Sequence, residues 1–128
     1  MRIIVLDDNA DIAKCSADVL KAAGFDAQCL DSFDSALNEI LTGEMSIVFS
    51  EIFVKNSDIG VFLNKIKSFD DSRKSRTPVV VISPVPMANF FDLFPALEVF
   101  GYIERPFSSA EIVNVARKAS FFLENHNF

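Results

Sequence analysis

The sequence predicts an α/β domain built on a five-stranded parallel sheet with helices on both faces. Three observations predict it. Apolar runs rich in β-branched residues recur along the 128 residues, stretches with helical spacing lie between them, and turn or capping residues separate the two kinds of segment. Half of the residues are hydrophobic. That is enough for one buried core, and the chain is too short for two ordinary domains, so residues 1–128 are read as one domain.

Each element has its own signal. The first run, Arg2 to Leu6, is continuous rather than alternating, as suits a strand covered on both faces. In the helix that follows, Ile12, Cys15, Val19, Leu20 and Ala23 recur at helical spacing, Asp11 favours the positive end of the helix dipole, and Gly24 can take the left-handed cap. A weaker strand covers Asp26 to Leu30. The second helix runs from about Phe33 to Leu41, carries Leu37, Ile40 and Leu41, and stops at Gly43. A third strand, Met45 to Phe49, leads to a helix with Phe62, Ile66 and Phe69 on one face. Residues 70–77, DDSRKSRT, are polar and mixed in charge, so they read as an exposed loop before Pro78 starts the fourth strand, Val79 to Ile82.

The fourth crossover, Pro84 to Val99, is heavily apolar. Phe90, Phe94 and Leu97 form its core face, Met87 and Phe91 fall off that stripe, and Pro95 shortens or kinks the helix. A fifth strand spans Phe100 to Ile103. The last helix opens on a capping box of Ser108 and Glu111 and carries a stripe of Ile112, Val115, Ala116, Ala119 and Phe122. Five strands alternating with five helices imply right-handed crossovers, which fit the flavodoxin-like winding of order 2-1-3-4-5.

Composition narrows the function. Eighteen acidic against twelve basic residues give a formal charge of -6, which repels nucleic acid and anionic membrane surfaces. Cys15 and Cys29 show no CxxC or His-paired spacing and lie in apolar-periodic segments, so they are expected as buried free thiols in a reducing compartment. The N-terminal strand is followed at once by acids, unlike a signal peptide, and no apolar run approaches membrane-spanning length. A cytoplasmic protein is the expectation. His126, the single histidine, lies in the tail and is assigned no role.

Ligands of open parallel sheets bind beyond the carboxyl ends of the strands. Here those ends carry Asp7-Asp8, Ser50-Glu51, Ser83 and Glu104-Arg105-Pro106. Singly, each has an ordinary role as a helix cap, loop acid, turn residue or surface charge. Together, the carboxylates of Asp7, Asp8 and Glu51 repel one another and require a cation, either a divalent ion or Arg105. Oxygen ligands without His or Cys favour Mg²⁺ over zinc. A flavin or bare phosphate fits poorly, because the first loop lacks the Gly, Ser and Thr groups that cradle phosphate oxygens.

With VLDD at Val5 to Asp8, IVFSEIFVKNSDIG at Ile47 to Gly60, PVVVIS at Pro78 to Ser83 and YIERPF at Tyr102 to Phe107, the chain resembles the receiver domain of bacterial two-component response regulators over nearly its whole length. The resemblance implies the CheY-like form of the flavodoxin-like fold, a metal pair at Asp7 and Asp8, a switch hydroxyl at Ser83 and a rotating switch aromatic at Tyr102. It implies a signalling partner, either a histidine kinase or a downstream effector, bound through the segment Met87 to Tyr102, with a homodimer left open.

Two positions depart from the family pattern. With Asp58 aligned to the acid before Gly in the third loop, Glu51 stands where the phosphoaccepting aspartate is usual, and Arg105 replaces the lysine before Pro106. Glutamate is one methylene longer, and a misplacement of roughly 1 Å can cost about a hundredfold in a transfer that depends on positioning. Glu51 then reads either as a permanent charge near the phosphoryl position, gripped by the planar fork of Arg105, or as a decayed acceptor. The first expectation is a pseudo-receiver that works by protein binding without aspartyl phosphorylation. The alternative is an active phosphorelay receiver with an unusual acceptor, catalysing its own phosphotransfer and dephosphorylation with Mg²⁺.

Overall fold

The apolar runs of the sequence become strands because their neighbours on both sides can be covered by helices. The computed structural model describes residues 1–125, so His126 lies outside the described residues. In chain order the elements are β1 (Arg2–Leu6), α1 (Ala10–Ala22), β2 (Asp26–Leu30), α2 (Phe33–Thr42), β3 (Ser46–Ser50), β4 (Phe53–Val54), β5 (Ser57–Asp58), α3 (Ile59–Lys67), α4 (Ser72–Ser75), β6 (Val79–Ser83), α5 (Met87–Leu93), β7 (Gly101–Glu104) and α6 (Ser109–Asn125). The main sheet is parallel, in the order β2-β1-β3-β6-β7. This is the winding expected from the alternation of strands and helices.

Two core layers sandwich the sheet. On one face Ile3, Val5, Ile47, Phe49, Val80, Ile82 and Ile103 pack with buried residues of α1 and α6. On the other, Ile4, Leu6, Val48, Val79 and Val81 pack with Phe33, Ile40, Phe62, Ile66 and Phe90 of α2, α3 and α5. Alternate residues of one strand thus enter opposite layers, and each fully buried side chain of this size contributes about 1.5–3 kcal/mol. Register aligns the carboxyl ends: Leu6 lies beside Ser50, and Ser83 beside Glu104. That alignment brings the strand-end residues to one edge.

Local signals account for most boundaries. Gly24 has φ of +97°, as the cap after α1 requires. Asp58 caps α3, its Oδ1 accepting from the Gly60 N–H at 2.8 Å. Ser108 and Glu111 form the reciprocal capping box, with Oε1 of Glu111 accepting from the Ser108 N–H and Oγ of Ser108 from the Glu111 N–H. Ahead of Pro95, α5 ends at Leu93, where Phe94 leaves helical geometry. Among the described residues no helix is long and apolar enough to cross a membrane.

Two expectations are corrected. Both cysteines are exposed rather than buried. The buried face of α1 is Ala13, Ser16, Ala17 and Leu20, because small residues let this helix approach the sheet and α6 closely; Cys15 is left on the outer side, and Cys29 lies on the edge strand β2. The polar segment 70–77 contains the one-turn helix α4, started by the Asp71 carboxylate accepting from the Arg73 N–H. The loop after β3, to which the sequence assigns no element of its own, is ordered as well. It folds as the β4–β5 hairpin, turning at Lys55 and Asn56 with φ of 48° and 63°, the positive values a two-residue type I′ turn needs.

Candidate functional site

The site forms where β1, β3, β6 and β7 end along one edge of the sheet. Glu51 follows the fully buried β3 and is itself only 16% exposed at its side chain. Its Oε1 accepts from the Ile52 N–H at 2.8 Å, and its Oε2 accepts from the Arg105 guanidinium. Arg105 follows β7 and donates its backbone N–H to the Ser83 carbonyl at 2.9 Å, which holds the start of the loop against β6. The second nitrogen of its fork lies 3.6 Å from Oδ2 of Asp7, whose side chain is 11% exposed. Oδ1 of Asp7 accepts from the Asn9 N–H at 2.9 Å. One guanidinium therefore bridges two largely buried carboxylates, the pairing for which a planar fork is suited.

Asp8 is drawn elsewhere. Its Oδ1 accepts from the Lys55 N–H at 2.8 Å, while the Lys55 ammonium pairs with Asp31 at 3.0 Å. A lysine in the left-handed region costs roughly 1–2 kcal/mol, and these two contacts help hold it there. Sequence reasoning did not single out Lys55. The available signal was the Lys55-Asn56 pair between Val54 and Ser57, since Asn tolerates positive φ at the second turn position.

Ser83 and Tyr102 meet at the neighbouring edge. Ser83 is fully buried, and its hydroxyl accepts from the Val85 N–H at 3.1 Å. The Tyr102 hydroxyl donates to the Val85 carbonyl at 2.5 Å, so one residue of the β6–α5 loop ties both side chains. The Tyr102 ring lies 5.3 Å from that of Phe90 and 6.5 Å from that of Phe91. Burial pushes the Tyr102 phenol above its ordinary pKa, against the opposing pull of the nearby Ser83 hydroxyl; the negative charge of Glu51 adds to the rise.

The structure thus brings Asp7, Glu51 and Arg105 together, places Ser83 with Tyr102 beside them, and turns Asp8 toward the hairpin. Among the described residues no group of three or more His, Cys, Asp or Glu side chains is placed to hold a metal ion. The donor chemistry gives the reason. Both oxygens of Glu51 and both of Asp7 already face protein N–H groups, as does one of Asp8. These residues do not fit a resident Mg²⁺.

No family model matches the sequence. The nitrogen assimilation regulatory protein NtrX of Azorhizobium caulinodans is 24% identical over 119 residues, covering 91% of this chain and 25% of that protein. The chain therefore spans about a quarter of the length of the curated relative it matches. Among solved structures, NtrX from Brucella abortus in complex with ATP is 26% identical with a TM-score of 0.80, over 96% of this chain and 27% of that one. The chemotaxis response regulator CheY4 of Vibrio cholerae superposes with a TM-score of 0.79 at 14% identity, over 92% of this chain and 97% of that one. The fold is the CheY-like receiver fold, and response regulators are among the solved structures similar to this chain.

Proposed function

We propose that this chain is a cytoplasmic signalling module of the two-component type, a pseudo-receiver read by protein partners without aspartyl phosphorylation. The observation that carries the reading is the state of Glu51. It stands at the acceptor position, and the Ile52 N–H and the Arg105 guanidinium engage its two oxygens. A carboxylate held from both sides is poorly placed for in-line attack on a phosphoryl group, which depends on free, well-aligned approach. It instead supplies a fixed negative charge next to Arg105, near the buried Ser83 and the tethered Tyr102. This favours the permanent-mimic reading of Glu51 over simple decay.

The partner is a histidine kinase, a downstream effector or a second copy of the chain, bound through Met87 to Tyr102. The support is apolar exposure: Phe90 is fully buried, whereas Met87, Phe91, Leu93 and Phe100 of the same stretch are exposed, Leu93 to 65%. Intact-mass measurement after incubation with a small phosphodonor and Mg²⁺ tests the proposal. The expected result is an unchanged mass. A rapidly formed, labile adduct on Glu51 overturns it and establishes the alternative of a working receiver with a glutamate acceptor.

A further inference from the structure

We propose that Arg105 is the resident cation of the strand-end cluster, occupying by its guanidinium the role a divalent ion would otherwise fill, so that the site is metal-free by construction. The inference rests on the pseudo-receiver reading for the choice of site and extends it to how the site is held.

Three observations converge on it. The guanidinium touches Glu51 through one terminal nitrogen and Asp7 through the other, and all three side chains are 16% exposed or less. Its Nε is buried and has no hydrogen-bond partner, a cost that the contacts of its two terminal nitrogens with the acids offset. Finally, the remaining acid is held apart, because the Lys55 N–H of the strained hairpin takes Asp8 Oδ1.

The consequences are chemical. A divalent ion entering between Asp7 and Glu51 would have to displace a buried monovalent cation and strip carboxylate oxygens of their N–H donors. Mg²⁺ demands near-octahedral oxygen coordination and gives up water reluctantly, so it competes poorly with a pre-placed guanidinium. Removing the guanidinium reverses the balance, leaving two acids a short distance apart with Asp8 adjacent in sequence. The cluster then becomes a site for a hard divalent cation.

Titration with Mg²⁺ alone, followed by amide chemical shifts and by calorimetry, tests this. The unaltered protein is expected to show no saturable change at Asp7, Asp8 or Glu51 at millimolar Mg²⁺. Arg105→Ala is expected to gain one-to-one binding tighter by about 10-fold or more, the scale on which groups around a metal site act, and Asp7→Asn added to it is expected to abolish the gain. Arg105→Gln repeats the measurement with a bulkier neutral side chain should the alanine variant fail to fold. Saturable binding by the unaltered protein, or binding by the folded neutral variants no tighter than its own, overturns the proposal. No phosphodonor is present, so metal binding in this titration leaves the result for a Glu51 adduct untouched.

Discussion

Two arginines sit at opposite ends of the sheet with almost the same side-chain exposure, 17% for Arg2 and 16% for Arg105, and each pairs with a glutamate. Their surroundings differ. Arg2 spends every nitrogen: Nε and one terminal nitrogen reach the Ser46 hydroxyl at 3.0 and 2.8 Å, the other terminal nitrogen reaches Glu39 Oε2 at 2.7 Å, and the carbonyls of Glu39 and Glu44 are bound as well. A Cβ at Gly43 would collide with this guanidinium, so the glycine that ends α2 also makes room for the staple. Arg105 meets carboxylates and leaves Nε unpaired. The first arginine closes backbone carbonyls at the end of a helix and of a loop, which is work for the fold. The second answers charge gathered where ligands of such sheets bind, at the expense of a buried donor.

The largest expected effect tests this contrast directly. Arg2→Ala should lower unfolding free energy by about 2–3 kcal/mol, since it strips charge-assisted hydrogen bonds from several acceptors at once. Arg105→Ala leaves two largely buried carboxylates without their shared cation, and added Mg²⁺ should recover part of its loss by neutralising them while leaving Arg2→Ala unchanged. Urea denaturation of both variants with and without Mg²⁺ measures the contrast, and an equal response of the two would break it.

A middle-sized effect belongs to the carboxyl edge of the sheet. Tyr102→Phe removes the hydroxyl donor to Val85 and should cost about 1 kcal/mol. Tyr102 is the chain's single tyrosine and no tryptophan is present, so phenolate absorbance reports it alone. With the folded pKa raised, the fold favours the protonated phenol. Its contribution is full below the unfolded value near 10 and is lost as pH rises through the folded one. Titration midpoints in native and denaturant-unfolded protein should differ in that direction, and a lower native midpoint would contradict burial as the dominant cause.

The smallest effect is expected at the exposed apolar side of α5. Leu93→Ser should change stability by no more than about 0.5 kcal/mol, as the side chain is largely in water. A loss comparable to that of Tyr102→Phe would show that the segment supports the core.

Much of this architecture could be read from residue order. Strand runs, the Gly24 turn, the Ser108–Glu111 box and the helix stop before Pro95 are local signals, set by side-chain entropy, missing donors and capping groups within a few residues. The helical face of α1 was misjudged for a reason of a different kind. Spacing alone could not show that a helix wedged between sheet and α6 needs Ala13, Ser16 and Ala17 inward, leaving Cys15 outside. The β4–β5 hairpin was missed likewise, because its strands are two residues long and their pairing depends on Lys55 finding Asp8 and Asp31.

By itself, the sequence determined the winding of the sheet and which residues arrive at its carboxyl edge, because periodicity, caps and crossover handedness act along the chain. Only the tertiary structure decided how those residues divide among themselves. Arg105 went to Asp7 and Glu51, Asp8 to the hairpin, and Tyr102 to Val85. Such choices depend on distances of a few ångströms between residues up to 98 positions apart, where electrostatics and hydrogen bonding act through space rather than along the backbone.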